Sequence, residues 1–163
     1  MTAIETKIID LLQENARYSA EELAVMVGVE KEKAEAVVKG LEQKGAIIKY
    51  TAVVNPEIID EDSVSALIEV KVTPQARSGF DTFAEEIARF DEVKAVYLMS
   101  GTYDLSLRVE GKTLREISRF VGEKLSSIDG VTSTATHFIM RRYKEDGVST
   151  ENANAKKREL PFT

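Results

Sequence analysis

Gly28 stands between two short amphipathic stretches, and this restricts the fold of the first third of the chain more than any other feature. Ahead of it, Ser19 followed three residues later by Glu22 forms a capping box, which opens a helix with Leu23, Ala24 and Val27 inward. Gly28 ends that helix as the left-handed residue of a tight turn. A further helix is expected from about Glu30 to Lys44, ending at Gly45, with Ala34, Val37, Val38 and Leu41 as its buried stripe. An earlier helix, Ala3 to Asn15 with Thr2 as cap, carries Ile4, Ile8, Leu11 and Leu12 at helical spacing. Three short helices, the last two joined by a glycine turn, make a helix-turn-helix. Ala24 suits that crossing, because a larger side chain would push the two helices apart. "AIIKYTAVVNP" then reads as a strand rich in β-branched residues, either a wing or a link, closed by Asn55-Pro56.

The rest differs in kind. "EIIDEDSV" is an acidic connector, and residues 56–63 are expected to be a linker containing Asp60, Glu61 and Asp62. "VSALIEVKV" alternates, with Val64, Ala66, Ile68, Val70 and Val72 on one face. "FDTFAEEIARF" is helical, with Phe80, Phe83, Ala84, Ile87 and Phe90 on one side. "VKAVYLM" is a strand, "SGTYD" a turn, and "LSLRVE" a strand with Leu105, Leu107 and Val109 alternating. Thr113 caps a second helix with Leu114, Ile117, Val121 and Ile128 inward, and "VTSTATHFIM" is a last strand. The order β-α-β-β-α-β over residues 64–143 is the ferredoxin-like arrangement. A faint repeat agrees with it, because "RFDEVKAV" and "SIDGVTST" close the two helices at equivalent points. Both helices should cover one face of a four-stranded sheet. The other face, with Leu67, Val96 and Leu98, is expected to be apolar and covered by a second copy, giving at least a dimer. Residues 144–163 read as a polar tail.

Charge bears on what such a fold can bind. Residues 1–54 hold seven Lys/Arg against nine Asp/Glu, residues 55–163 fifteen against nineteen, and the whole chain has net charge -6. Neither part is basic, so any DNA binding must come from a local arrangement of cations. No cysteine is present, which excludes disulfides and thiolate chemistry, and a single histidine argues against a metal site. No Ser/His/Asp set, phosphate-cradling glycine loop or framed carboxylate pair occurs, so no catalytic residues and no cofactor are expected. The absence of a long apolar run or a signal-peptide layout leads to the expectation of a cytoplasmic protein with no membrane partner.

Three stretches resemble the Lrp/AsnC family, also called feast/famine regulators, which are bacterial and archaeal transcription factors. "VGVEKEKAEAVVKGLEQKGAIIKYTAVVNPEII" resembles the family's turn, third helix, strand and Asn-Pro hinge. "YLMSGTYDLSLRV" resembles its SG-x-x-D turn, and "IDGVTSTATHFIM" its final strand. The likeness covers roughly residues 1–143. It implies an α+β protein, with a winged helix-turn-helix over residues 1–55 followed by a βαββαβ ferredoxin-like domain of the ACT-like, or RAM, type. It also implies dimers and often octamers, double-stranded DNA as partner, and a small effector, commonly an amino acid, bound between dimers. One departure stands out. Members usually carry Ser or Thr near the start of the third helix, where this chain has Glu30 and Glu32, and often Arg in place of Val37.

Two sets of candidate residues follow. On the outer side of the third helix, Lys31, Lys33 and Lys39 suit phosphates, Gln43 suits adenine, Glu32 cytosine N4, and Ala36 a thymine methyl. The bland reading of the same face is a solvated surface with Lys31–Glu35 and Glu35–Lys39 pairs. In "SGTYD", the bland reading is a hairpin turn with Gly101 at a special backbone angle. The resemblance instead places the effector there, with Ser100, Gly101, Thr102 and Tyr103 around it. Gly101 and Thr102 would give amides to its carboxylate, Asp104 an anion to its amine, and Thr134 and Thr136 hydrogen bonds from the final strand. His137 points to the face opposite the two threonines. The rival reading is a metabolite-sensing or protein-interaction module whose helix-turn-helix no longer binds DNA strongly.

Overall fold

A computed structural model describes residues 1–59, 63–73 and 79–150. The chain divides into two compact units, Met1–Val53 and Val54–Thr163.

The first unit is built from helices α1 (Ala3–Glu14), α2 (Ala20–Val27) and α3 (Lys31–Gln43). Their starts follow from local chemistry. Thr2 accepts from the Glu5 amide while the Glu5 carboxylate accepts from the Thr2 amide, and Ser19 and Glu22 repeat that exchange. Each cap satisfies two amides that would otherwise lack partners. Gly28 sits in the left-handed region at φ 77°, and the Gly28 and Val29 amides both donate to Ala24 O at 2.8 and 3.0 Å. Ile8, Leu23, Ala24, Ala34 and Leu41 form the core, with Val37, Val38 and Ile47 packed against it.

Glu5 also accepts from Lys44 Nζ at 2.9 Å, which ties the start of α1 to the end of α3. The Lys44 hydrogen bond first, and the Thr2 amide second, hold the Glu5 carboxyl down to about 2 from its ordinary 4.5. A carboxylate with a depressed folded pKa stabilises the protein above its unfolded pKa, and that contribution fades as pH falls toward the folded value. Glu5→Gln retains the cap but not the charge. It should therefore melt below the unsubstituted chain at pH 6, with the gap closing between about pH 4.5 and 2. Thermal melts across that range check this, and an equal gap at pH 2 and pH 6 would sink it.

Residues 46–55 were expected as a strand, but among the described residues they pair with none. β-branched residues favour extended backbone, yet a strand also needs a ladder, and the described residues supply no neighbour there. The segment instead turns off α3 through the Ala46 and Ile47 amides, both on Leu41 O, and is pinned by Tyr50 Oη donating to Glu42 at 2.9 Å. The first residues of the expected linker form a helical turn, α4 (Pro56–Ile59). Asp60, Glu61 and Asp62 lie outside the described residues, as does the tail from residue 151.

The second unit contains β1 (Val64–Val72), α5 (Asp81–Ile87), β2 (Val93–Leu98), β3 (Leu105–Gly111), α6 (Leu114–Arg119) and β4 (Val131–Phe138). Its sheet has the order β2-β3-β1-β4 with every neighbour antiparallel, as the ferredoxin-like arrangement requires. Ala66, Ile68, Val70, Leu105, Leu107 and Val109 are fully buried under the helices. After Arg119 the backbone widens into a π-helical turn (Phe120–Lys124) and then tightens (Leu125–Ser127). The buried stripe runs through Ile117, Phe120, Leu125 and Ile128, while Leu114, the first residue of α6 and ahead of the π-helical turn, is exposed rather than inward. One extra residue in a helical turn rotates everything that follows it.

The opposite sheet face is less apolar than expected. Val96 pairs with Leu107 and packs into the core, because a register shift between Val93 and Ala95 changes which β2 residues face the helices. By register, the open face carries Leu67 and Tyr97 among Glu69, Lys71, Arg108, Glu110 and His137. Part of it is covered by an element within the expected tail, a small hairpin of β5 (Lys144–Glu145) and β6 (Val148–Ser149). Asp146 and Gly147 form its turn, both at positive φ, the conformation that Asp-Gly favours. Arg108 donates to Glu145 at 2.8 Å, and Arg142 donates to Ser65, the one buried polar residue among those described.

Candidate DNA-binding and effector sites

The Gly28 turn sets α3 against α2, with Ala24 and Ala34 both buried where they pack. Ala34, Val37, Val38 and Leu41 point inward, so Lys31, Glu32, Lys33, Ala36, Lys39 and Gln43 all lie on the exposed side. They are not equivalent. Lys31 Nζ lies 2.5 Å from Glu21 Oε1 on α2 and 4.0 Å from Glu35 Oε1 one turn on. The Glu21 hydrogen bond first, then its charge, push the Lys31 ammonium above its ordinary pKa. Among the described residues, Lys33 and Lys39 have no carboxylate within ion-pair distance. The expected Glu35–Lys39 pair is not formed. Glu35 turns back toward Lys31, whose ammonium already has a second carboxylate on it. Glu32 lies in the first turn of α3, where the helix dipole offsets part of its charge.

The turn between β2 and β3 is closed by the Met99 amide donating to Asp104 O at 2.8 Å. Ser100, Gly101 and Thr102 are exposed, and Tyr103 and Asp104 half-buried. Gly101 does not take the positive φ expected of it. Four residues between Met99 and Asp104 reverse the chain without that region. Asp104 is anchored: its amide donates to Val70 O at 3.0 Å and its carboxylate accepts from the Val72 amide at 2.9 Å. That bond falls where the β1–β4 register shifts between Lys71 and Val72, and it satisfies an amide the ladder would otherwise drop. Lys71 Nζ donates to Thr102 O at 3.0 Å, which brings a cation to the turn. Neither contact is readable from spacing, because both depend on β1 and β3 being neighbours.

Thr134 pairs with Val70 and Thr136 with Ile68, so both half-buried threonines lie on the helix-covered side of β4. Thr134 and the turn share one end of the sheet, while Thr136 lies one step further in. His137 is on the other side, 3.3 Å from Glu69. A cleft of about 390 Å³ opens at the far end of the sheet, with Lys112, Arg119 and the Glu92–Lys124 pair among its lining. Its charges are of both signs and partly satisfied by each other, so it favours no one class of ligand. Among the described residues, no group of three acidic or histidine side chains is placed to hold a metal, and no helix is long and apolar enough to cross a membrane.

Residues 1–42 match the AsnC-type helix-turn-helix domain, and residues 65–149 match the Lrp/AsnC ligand binding domain. The chain belongs to the Lrp/AsnC family. Like the other members it is a DNA-binding transcriptional regulator with a ligand-binding domain, not an enzyme. It is 43% identical to the uncharacterized HTH-type transcriptional regulator YugG of Bacillus subtilis, over 97% of this chain and 96% of that one. It is 31% identical to the proline dehydrogenase transcriptional activator of Rhizobium radiobacter, over 88% of this chain and 92% of that one. Among solved structures, a transcriptional regulator of Neisseria meningitidis in complex with L-Met matches with a TM-score of 0.70 at 26% identity, over 89% of this chain and 93% of that one. The second Lrp/AsnC match includes the β5–β6 hairpin.

Proposed function

We propose that this Lrp/AsnC regulator is a cytoplasmic homo-oligomer that reads operator DNA with the exposed side of α3 and responds to a small amino acid at the β2–β3 turn. The observation that carries the DNA reading is the exposed α3 surface, on which Lys33 and Lys39, among the described residues, have no carboxylate at ion-pair distance, beside Ala36 and Gln43. Two such cations on α3 make a weak site, so more than one copy must engage at once, and linked heads gain through effective concentration. The exposed apolar run Ile48, Tyr50, Val53 and Val54, with no strand beside it among the described residues, supports pairing with another copy. Gel retardation with the gene's own upstream DNA tests the reading. A shifted band at low micromolar protein and low salt is expected, and none with any amino acid present would overturn it.

An amino acid suits the turn because the exposed Gly101 and Thr102 amides and Lys71 can face a carboxylate, while Asp104 can face an amine. The Neisseria structure is a complex with L-Met, and that ligand class is carried over here. Asp104 would then have two duties, which its variants should separate. Asp104→Asn keeps a carbonyl for the Val72 amide but loses the charge. It should fold with little change yet lose the melting-temperature rise caused by the active member of a twenty-amino-acid screen. Asp104→Ala should in addition lower the ligand-free stability by about 1.5–3 kcal/mol, the worth of a hydrogen bond to a charged group. A full ligand response from Asp104→Asn would remove Asp104 from the effector site.

A further inference from the structure

We propose that Glu21 on α2 sets the DNA affinity of the regulator by occupying Lys31, with Glu35 as a second and weaker hold. The inference rests on the DNA-binding reading above. Glu21 and Lys31 are ten residues apart and meet only because the Gly28 turn brings the start of α2 beside the start of α3. Lys31 is the first residue of α3, where backbone amides and the helix dipole already favour a phosphate. Its ammonium is the cation best placed to add to that end, yet two carboxylates flank it at 2.5 and 4.0 Å. A phosphate approaching Lys31 must first displace Glu21.

The hold is adjustable. All three side chains are about half exposed or more, at 45% for Lys31, 68% for Glu21 and 54% for Glu35. Exposed pairs of this kind are weak and screened by salt, so the pair withholds Lys31 from phosphate without locking it, and loss of one carboxylate is enough to release it. The ammonium stays protonated throughout, because its partners raise its pKa. The control therefore lies in where the charge is spent, not in whether it exists. The same contact offers a physical account of how a helix carrying Glu32 and Glu35 can belong to a DNA-binding family. A cation is kept in reserve beside them.

The test is a double-mutant cycle on the full-length protein, read by fluorescence anisotropy with duplex DNA from the gene's own upstream region at several KCl concentrations. Glu21→Gln is expected to tighten binding about three- to fivefold at 0.1 M salt, the range set by the strength of exposed ion pairs. It should also steepen the log–log salt dependence by about 0.9 per engaged head, the signature of one new phosphate contact. Lys31→Ala added to Glu21→Gln should cancel the gain, so that the two changes are strongly non-additive. A gain that survives Lys31→Ala undiminished would mean that Glu21 merely repels DNA, and would overturn the proposal. So would wild-type binding that Glu21→Gln leaves unchanged. If neither the wild-type protein nor any variant bound DNA, the DNA-binding reading itself would be what failed.

Discussion

Replacing Gly130 with alanine should lower the melting temperature of the sheet unit by roughly 10–20 °C. Gly130 precedes β4 at φ 93°, where an L side chain costs about 1–2 kcal/mol. A Cβ there would also lie 2.8 Å from Phe83 Cζ and 3.0 Å from Cε1. Phe83 is only 5% exposed and has no free side to swing toward, so the overpacking adds about 1–3 kcal/mol. The backbone cannot yield either, because Gly130 O accepts from the Thr73 amide at 2.8 Å. A total of about 3 kcal/mol is large for a unit of this size. Gly147→Ala, in the same unit, is the control: it has positive φ but nothing within 4 Å of its Cβ, so it carries the conformational cost alone. Calorimetry on both variants decides the matter. Equal shifts would mean that the Phe83 contact does not act, whereas partial rescue of Gly130→Ala by Phe83→Leu would show that it does.

Gly130 also shows what kind of information a single sequence holds. Asp91 and Asp129 mark equivalent corners, and the strands that follow begin at Val93 and Val131 in both halves. That repeat is local, as are the Thr2–Glu5 and Ser19–Glu22 caps and the Gly28 turn, and each is where spacing alone puts it. Residues 46–55 have the composition of a strand, but a ladder depends on a partner that composition does not name. The face of Val96 could not be read by alternation, because a bulge in β2 reverses parity midway. The π-helical turn does the same past Phe120, bringing Leu125 inward. Asp146-Gly147 was a legible hairpin signal in a stretch whose polarity argued for a tail. The hairpin prevails because Arg108 and Arg142 hold it to the sheet through Glu145 and Ser65.

The candidate sites divide along the same line. Which side of α3 faces outward follows from period 3.6, and all six α3 candidates are exposed. That Glu21 neutralises Lys31, that Asp104 braces the Val72 amide and that Lys71 reaches Thr102 are tertiary facts. They change what each candidate can do without changing which residues are candidates.

Removing Lys33 and Lys39 together should weaken DNA binding on the order of 10- to 100-fold at 0.1 M salt. Both are exposed on α3, and among the described residues neither ammonium is engaged by a carboxylate, so their charge is fully available to phosphates. Each lost contact should flatten the log–log salt slope by about 0.9 per engaged head, and the loss should be similar on specific and random duplexes. Gln43→Ala provides the contrast. An amide that pairs with an adenine edge carries sequence information, so its removal should cost about 1–3 kcal/mol on the operator and little on random DNA. Anisotropy titrations of both variants against both duplexes separate the two kinds of contact. If the double lysine variant kept the wild-type salt slope, the phosphate contacts would have to lie off α3. The segment that follows α3 would then be the place to look, since Lys49 stands exposed there between Ile48 and Tyr50.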